Sequence, residues 1–97
     1  MIAELSIFPV GEGTSLSDSV AEVLAVIHRS GVKYELHSMG TNIEGSLDEV
    51  FDIVRQCHTI LVEKGCKRIS TTIKIDDRRD KVYTMKEKVA VVKKKYR

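Results

Sequence analysis

The chain has 97 residues, 42% hydrophobic and 31% charged, with a formal net charge of +2. That length supports one domain, residues 1–97, around one core, and so small a basic excess argues against a nucleic-acid partner. No run approaches the roughly 18 apolar residues of a membrane-spanning helix.

The opening MIAELSIFPV lacks a basic n-region and Glu4 interrupts its apolar run, so it does not read as a signal peptide. Residues 2–9 alternate instead, with Ala3, Leu5 and Ile7 facing one way and Glu4, Ser6 and Phe8 the other. This is a half-buried strand, stopped by Pro9 and Gly11. After the loop GEGTSLSD, Ser15 or Ser17 can cap a helix whose apolar stripe is Val20, Val23, Leu24 and Ile27, and Gly31 closes it.

Residues 32–37 alternate again, Val32, Tyr34 and Leu36 against Lys33, Glu35 and His37. A short connection leads to GTNIEG, where Ile43 points inward and Asn42 and Glu44 outward; the short link favours a hairpin. Ser46 and Glu49 form a capping box for a second helix with Leu47, Val50, Val54, Cys57 and Leu61 on its buried stripe. Residues 68–76 form the last strand, with Ile69, Thr71, Ile73 and Ile75 against Ser70, Thr72, Lys74 and Asp76. Thr84 and Glu87 then suggest another capping box, and Met85, Val89, Val92 and Tyr96 line a third helix. The order predicts an α+β, ferredoxin-like βαββαβ sandwich with an extra C-terminal helix and a four-stranded antiparallel sheet, usual strand order 4-1-3-2.

In that topology the apolar sets meet two helices and the polar sets share the other face. Phe8 stands there among polar residues, and Asn42 and Glu44 lie beside one another. An aromatic with convergent polar groups furnishes a small-molecule site; a subunit interface could use the same set. Cys57 and Cys66 match no metal or redox spacing, and Cys57 falls on an apolar stripe, so both are expected as reduced thiols of a cytoplasmic protein.

The segments SIFPVGEGTSLSDSVAEVL, GVKYELHSMGTNIEGSLDEVF and KRISTTIKIDDRRDK resemble the YkoF-like family of small thiamine-binding proteins over nearly the whole chain. The resemblance implies a ferredoxin-like fold and a ligand, thiamine or its hydroxymethylpyrimidine portion, bound without chemistry and without a further cofactor. It implies homo-oligomers, with edge strands pairing into dimers and dimers into tetramers. Asn42 and Glu44 are the contacts it transfers best: a carboxylate accepts from an aminopyrimidine or pairs with a thiazolium, and an amide both donates and accepts. Phe8 can stack on the ring. Ser6, His37 and Thr72 share the polar face, and Thr14 and Ser15 can edge the pocket.

GEGTSLS lies where phosphates often bind, but Leu16 stands at the third glycine's place of a dinucleotide fingerprint and Glu12 repels an anion. The run DDRRDK reads as an exposed, self-compensating turn; its Arg78 and Arg79 are assigned to a subunit interface or an anion. His28 and His58 fall late in helices and are expected at the surface. No Cys-His or Ser-His-Asp set and no metal-ligand spacing assembles, so an enzyme is not expected. The first loop lacks the arginine of acylphosphatases, and Phe8 alone does not make an RNA-binding sheet. The sequence therefore points to a thiamine or hydroxymethylpyrimidine carrier or sensor. The alternative is a structural or regulatory homo-oligomer whose polar sheet face is a subunit interface.

Overall fold

A computed structural model describes residues 1–11 and 16–96. In chain order its elements are β1 (Ile2–Pro9), α1 (Ser17–Arg29), β2 (Lys33–His37), β3 (Gly40–Glu44), α2 (Leu47–Glu63), β4 (Ile69–Asp76) and α3 (Met85–Tyr96). The strands form one antiparallel sheet in the order β2-β3-β1-β4. Read from the other edge, this is the expected 4-1-3-2 order.

Alternation in the strands sorts the side chains as expected. Ala3, Leu5 and Ile7 of β1 and Ile43 of β3 are buried against Val23, Val26 and Ile27 of α1 and Val50, Ile53, Cys57 and Leu61 of α2. The helical stripes differ from the sequence reading by one turn position. Val20 and Leu47, expected inside, are 37% and 41% exposed, while Val26 and Ile53 take core places. Each displaced residue lies in the first turn of its helix.

The termini of the helices follow the local chemistry. Glu49 N–H donates to Ser46 Oγ at 3.1 Å and Ser46 N–H to Glu49 Oε1 at 2.9 Å, the full capping box. These bonds, the one from the Ser46 backbone first, hold the Glu49 carboxyl below its ordinary value. At the α3 start Glu87 N–H donates to Thr84 Oγ1 at 3.1 Å. Ser17 is already helical, with Leu16 as the flanking residue; Ser15 lies outside the described residues.

One expectation about the second face is corrected. The sheet face away from α1 and α2 is not bare, because the first turn of α3 docks on it. Met85 N–H donates to the Glu44 carboxylate, and Lys88 pairs with Asp76. A carboxylate at a helix N-terminus satisfies an orphan N–H and opposes the positive end of the dipole. Only this turn is anchored: Met85 is buried, whereas Val89, Val92 and Tyr96 are more than half exposed. The radius of gyration, 14.8 Å, accordingly exceeds the roughly 12.5 Å of a compact chain this long.

Gly40 fixes where the β2–β3 hairpin turns. A Cβ there would stand 2.7 Å from the backbone oxygen of Leu5, a contact that only a shift of one strand could relieve. Gly40→Ala should therefore lower the unfolding free energy by about 1–3 kcal/mol, as overpacking does, read as a fall in the urea midpoint at unchanged slope. An unchanged midpoint would show that the hairpin gives way freely.

Candidate functional site

The strands differ in length, and the difference makes a notch. β1 has eight residues and β3 five. Pairing of β1 with β3 ends at Leu5↔Thr41, while pairing with β4 continues to Pro9↔Ile69. Beyond Leu5, β1 therefore runs on past the end of the hairpin. The notch is closed by the first turns of α1 and by the β2–β3 turn, leaving a cavity of about 230 Å³. Ser6, Phe8 and His37 enter it with the β2–β3 turn, Ser38 to Gly40. Its apolar wall is Leu16, Val20, Leu24 and Leu36. Val20 and Leu24, which the core does not use, line the cavity together with the core residue Val23.

A polar network adjoins it on the sheet face. Met39 N–H lies 3.3 Å from His37 Nδ1, and His37 Nε2 lies 3.2 Å from Asn42 Oδ1. The Glu4 carboxylate approaches the same Nε2 at 3.5 Å. Glu4 and Asn42 are direct cross-strand partners in the β1–β3 register.

The expected site residues are thereby divided. Ser6, Phe8 and His37 share the rim cavity, and Asn42 touches it through His37. Glu44 does not join them: it is opposite Ile2, six residues along β1 from Phe8, roughly 20 Å in an extended strand. Its carboxylate holds the start of α3 and borders a different cavity, about 370 Å³, with Lys33, Tyr34, Glu35, Thr84 and Lys86. Phe8 and Glu44 thus do not wall one cavity, because alternation places residues on a face without placing them in a row. Thr72 is opposite Ser6 on the far side of β1, outside the residues that line the rim. Thr14 and Ser15 lie outside the described residues.

Arg78 and Arg79 are occupied locally. Arg78 Nε donates to Asp80 at 2.7 Å and Arg79 Nη2 to Asp77 at 2.8 Å. These bonds raise both guanidinium pKa values, and Arg78 in turn lowers that of Asp80. Of the other histidines, His28 is exposed beside the Tyr34 hydroxyl at 3.0 Å. His58, expected at the surface, is half-buried and joins α2 to β4 through Thr71 Oγ1 at 2.7 Å. Neither Glu4 nor Gly40 carries a motif that singles it out in the sequence. The alternating pattern already put Glu4 on the sheet face, but only the register sets it opposite Asn42.

Residues 3–93 match the family described as thiamine-binding protein. The chain belongs to that family. It is 41% identical to a UPF0045 protein of Methanothermobacter thermautotrophicus, over 96% of each chain. To the UPF0045 protein YqgV of Bacillus subtilis it is 39% identical, over 96% of this chain and 94% of the relative. The crystal structure of MJ1052 from Methanocaldococcus jannaschii superposes with a TM-score of 0.87 at 34% identity, covering 95% and 94% of the two chains. TM0486 from Thermotoga maritima, a candidate thiamine biosynthesis or salvage protein, superposes with a TM-score of 0.80 at 26% identity, covering 94% and 96%. The thiamine-binding family is one of binding proteins and not a known enzyme family. Among the described residues no group of three or more His, Cys, Asp or Glu is placed to hold a metal. No helix there is long and apolar enough to cross a membrane.

Cys57 is a core residue of this thiamine-binding family member, 0% exposed. Burial pushes its thiol up from 9.0 to about 11, which suits packing and not nucleophilic chemistry. A thiol whose folded pKa lies above its unfolded value resists ionisation in the folded state. The unfolded chain releases the proton first, so the thiol's contribution to stability is constant below about pH 9 and falls between pH 9 and 11. The slope approaches about 1.4 kcal/mol per pH unit for the one proton. Denaturant unfolding at pH 8, 9, 10 and 11 should show a steeper alkaline loss for wild type than for Cys57→Ala, which starts less stable because of the cavity. Parallel curves would show that the thiol is not held neutral.

Proposed function

We propose that the protein binds thiamine, or its hydroxymethylpyrimidine moiety, without chemistry, and that it acts as a carrier or sensor. The observation that carries this reading is the rim cavity, where Phe8, Ser6 and His37 meet an apolar wall at the end of a polar sheet face. Its volume, about 230 Å³, is below the roughly 300–1,000 Å³ of sites that enclose drug-sized molecules. It suits one heteroaromatic ring, with the rest of the ligand leaving along the sheet. Phe8 supplies the ring face and the Ser6 hydroxyl a polar contact, while His37, bonded at both ring nitrogens, holds Asn42 beside them. Membership in the thiamine-binding family and the likeness to TM0486 support the same ligand class.

Self-association belongs to this reading, and β4 is the edge that favours it. It has eight residues against five in β2, the other edge. Its core-facing Ile69, Ile73 and Ile75 are only partly buried. The α2 flank beside it, marked by the His58–Thr71 bond, carries Leu47, Phe51 and Val62, at 41%, 47% and 59% exposure. An unpaired strand edge beside an uncovered apolar stripe is the surface a second copy covers best. Pairs of such dimers would give the tetramer.

Calorimetric titration with thiamine and with hydroxymethylpyrimidine should give micromolar or tighter binding, about 8 kcal/mol or more. Phe8→Ala should weaken it roughly tenfold through lost stacking. No heat with either ligand, and no competition between them, would overturn the ligand assignment. Light scattering after gel filtration should give at least twice the 10.9 kDa chain mass, falling to one chain in the double variant Phe51→Glu, Val62→Glu. A monomeric wild type would remove β4 as an interface. Loss of association without loss of ligand binding would separate the carrier from the purely structural oligomer.

A further inference from the structure

We propose that Glu4 and Asn42 together read an amine-bearing azine edge, that is, an exocyclic N–H₂ beside a ring nitrogen, and that His37 sets the polarity of this pair. The inference rests on the binding reading above and assigns the part of the sheet face that selects the ligand.

The polarity follows from one backbone group. Met39 N–H can only donate, so His37 Nδ1, 3.3 Å away, accepts. A neutral imidazole with Nδ1 accepting carries its proton on Nε2. The Asn42 atom 3.2 Å from Nε2 is then the oxygen Oδ1, and the Asn42 N–H₂ is left for other partners. Directly across the strand pair stands Glu4, an acceptor, its side chain 53% exposed. Opposed cross-strand Cβ atoms lie about 4.5–5.5 Å apart. The sheet thus offers a donor and an anionic acceptor side by side. The complementary edge has an acceptor beside a donor, as an aminopyrimidine does.

The surroundings leave room for such a ring. Two residues farther along each strand, past the last paired position, stand Ser6 on β1 and Gly40 on β3, the first small and the second without a side chain. Phe8 follows two residues beyond Ser6, roughly 13 Å along the strand from Glu4. On the opposite side the first turn of α3, seated on Glu44, bounds the bay. A ring standing on Ser6 and Gly40 therefore has Glu4 and Asn42 at one edge and the Phe8 side chain at the other. Lys74 is opposite Glu4 on β4, so the amine of the ligand competes with a solvated lysine for the carboxylate.

The test measures discrimination as well as affinity. Hydroxymethylpyrimidine bearing its exocyclic amine and the deamino analogue are titrated into wild type, Glu4→Ala, Glu4→Gln and Asn42→Asp. Wild type should prefer the amine roughly ten- to hundredfold, as for a hydrogen bond to a charged group. Glu4→Ala should bring the two ligands within about twofold, with affinity for the deamino analogue little changed, which also shows that the variant folds; Asn42→Asp, which loses the donor to the ring nitrogen that both ligands carry, should weaken both roughly tenfold. Glu4→Gln, nearly isosteric, should fall between. His37→Gln, whose amide can still donate to Asn42 Oδ1, should keep the affinity for both ligands, and His37→Leu should weaken both as Asn42→Asp does. A preference for the amine that survives in Glu4→Ala, or undiminished binding of both ligands by Asn42→Asp, would overturn the assignment to Glu4 and Asn42 while leaving the binding reading intact. Equal binding of both ligands by wild type would overturn the amine as the selected feature. No binding of either would overturn both the inference and the reading beneath it.

Discussion

The site depends on where the β2–β3 hairpin stops. Had β3 matched the length of β1, Ser6 and Phe8 would lie inside a continuous sheet, and the space beside them would be strand. Gly40 sets the stop, because a Cβ there would stand 2.7 Å from the Leu5 oxygen. The turn that follows presents Met39 N–H to His37. Chain reversal, cavity and histidine orientation therefore come from the same few residues, and the first turns of α1 complete the wall with Val20 and Leu24.

Much of this fold is legible in the sequence because its signals are periodic. Two-residue alternation in β1 and β4 sorts every side chain to the observed face, and the Ser46–Glu49 box begins α2 as written. The helical stripes are less sharp. A period of 3.6 residues names a face about 100° wide, and neighbouring elements decide which edge of it is covered. Val20 and Leu47 fall at that edge, in first turns, and stay partly exposed. His58 shows the converse: a polar residue late in a helix becomes half-buried because β4 offers Thr71 to it.

The candidate site was legible in kind more than in place. Alternation puts Phe8, Asn42 and Glu44 on one face, but the distance between them depends on register, which no local pattern encodes. Register sends Glu44 to the far end of the sheet, where the start of α3 claims its carboxylate. It brings Glu4 to Asn42 instead. The docking of α3 could not be read from its stripe either. Met85 alone of that stripe is buried, so the helix attaches through a carboxylate and an N-terminus and only slightly through apolar area.

A small open cavity can bind well only if little has to be ordered when the ligand arrives. The rim supplies that condition. His37 is held on both ring nitrogens, one by backbone and one by an amide, so Asn42 is oriented before any ligand enters. The floor is strand, which does not move relative to its neighbours without breaking the ladder. What remains adjustable is the turn residue Met39, 79% exposed, and a thioether side chain adapts to an apolar ligand face at little cost. Fixed polar groups on the sheet with a pliable side chain above them favour a ligand that is flat, polar at one edge and tolerant at the other. A heteroaromatic ring with a single substituted tail has that shape, and the notch at the end of β3 leaves the tail a path out.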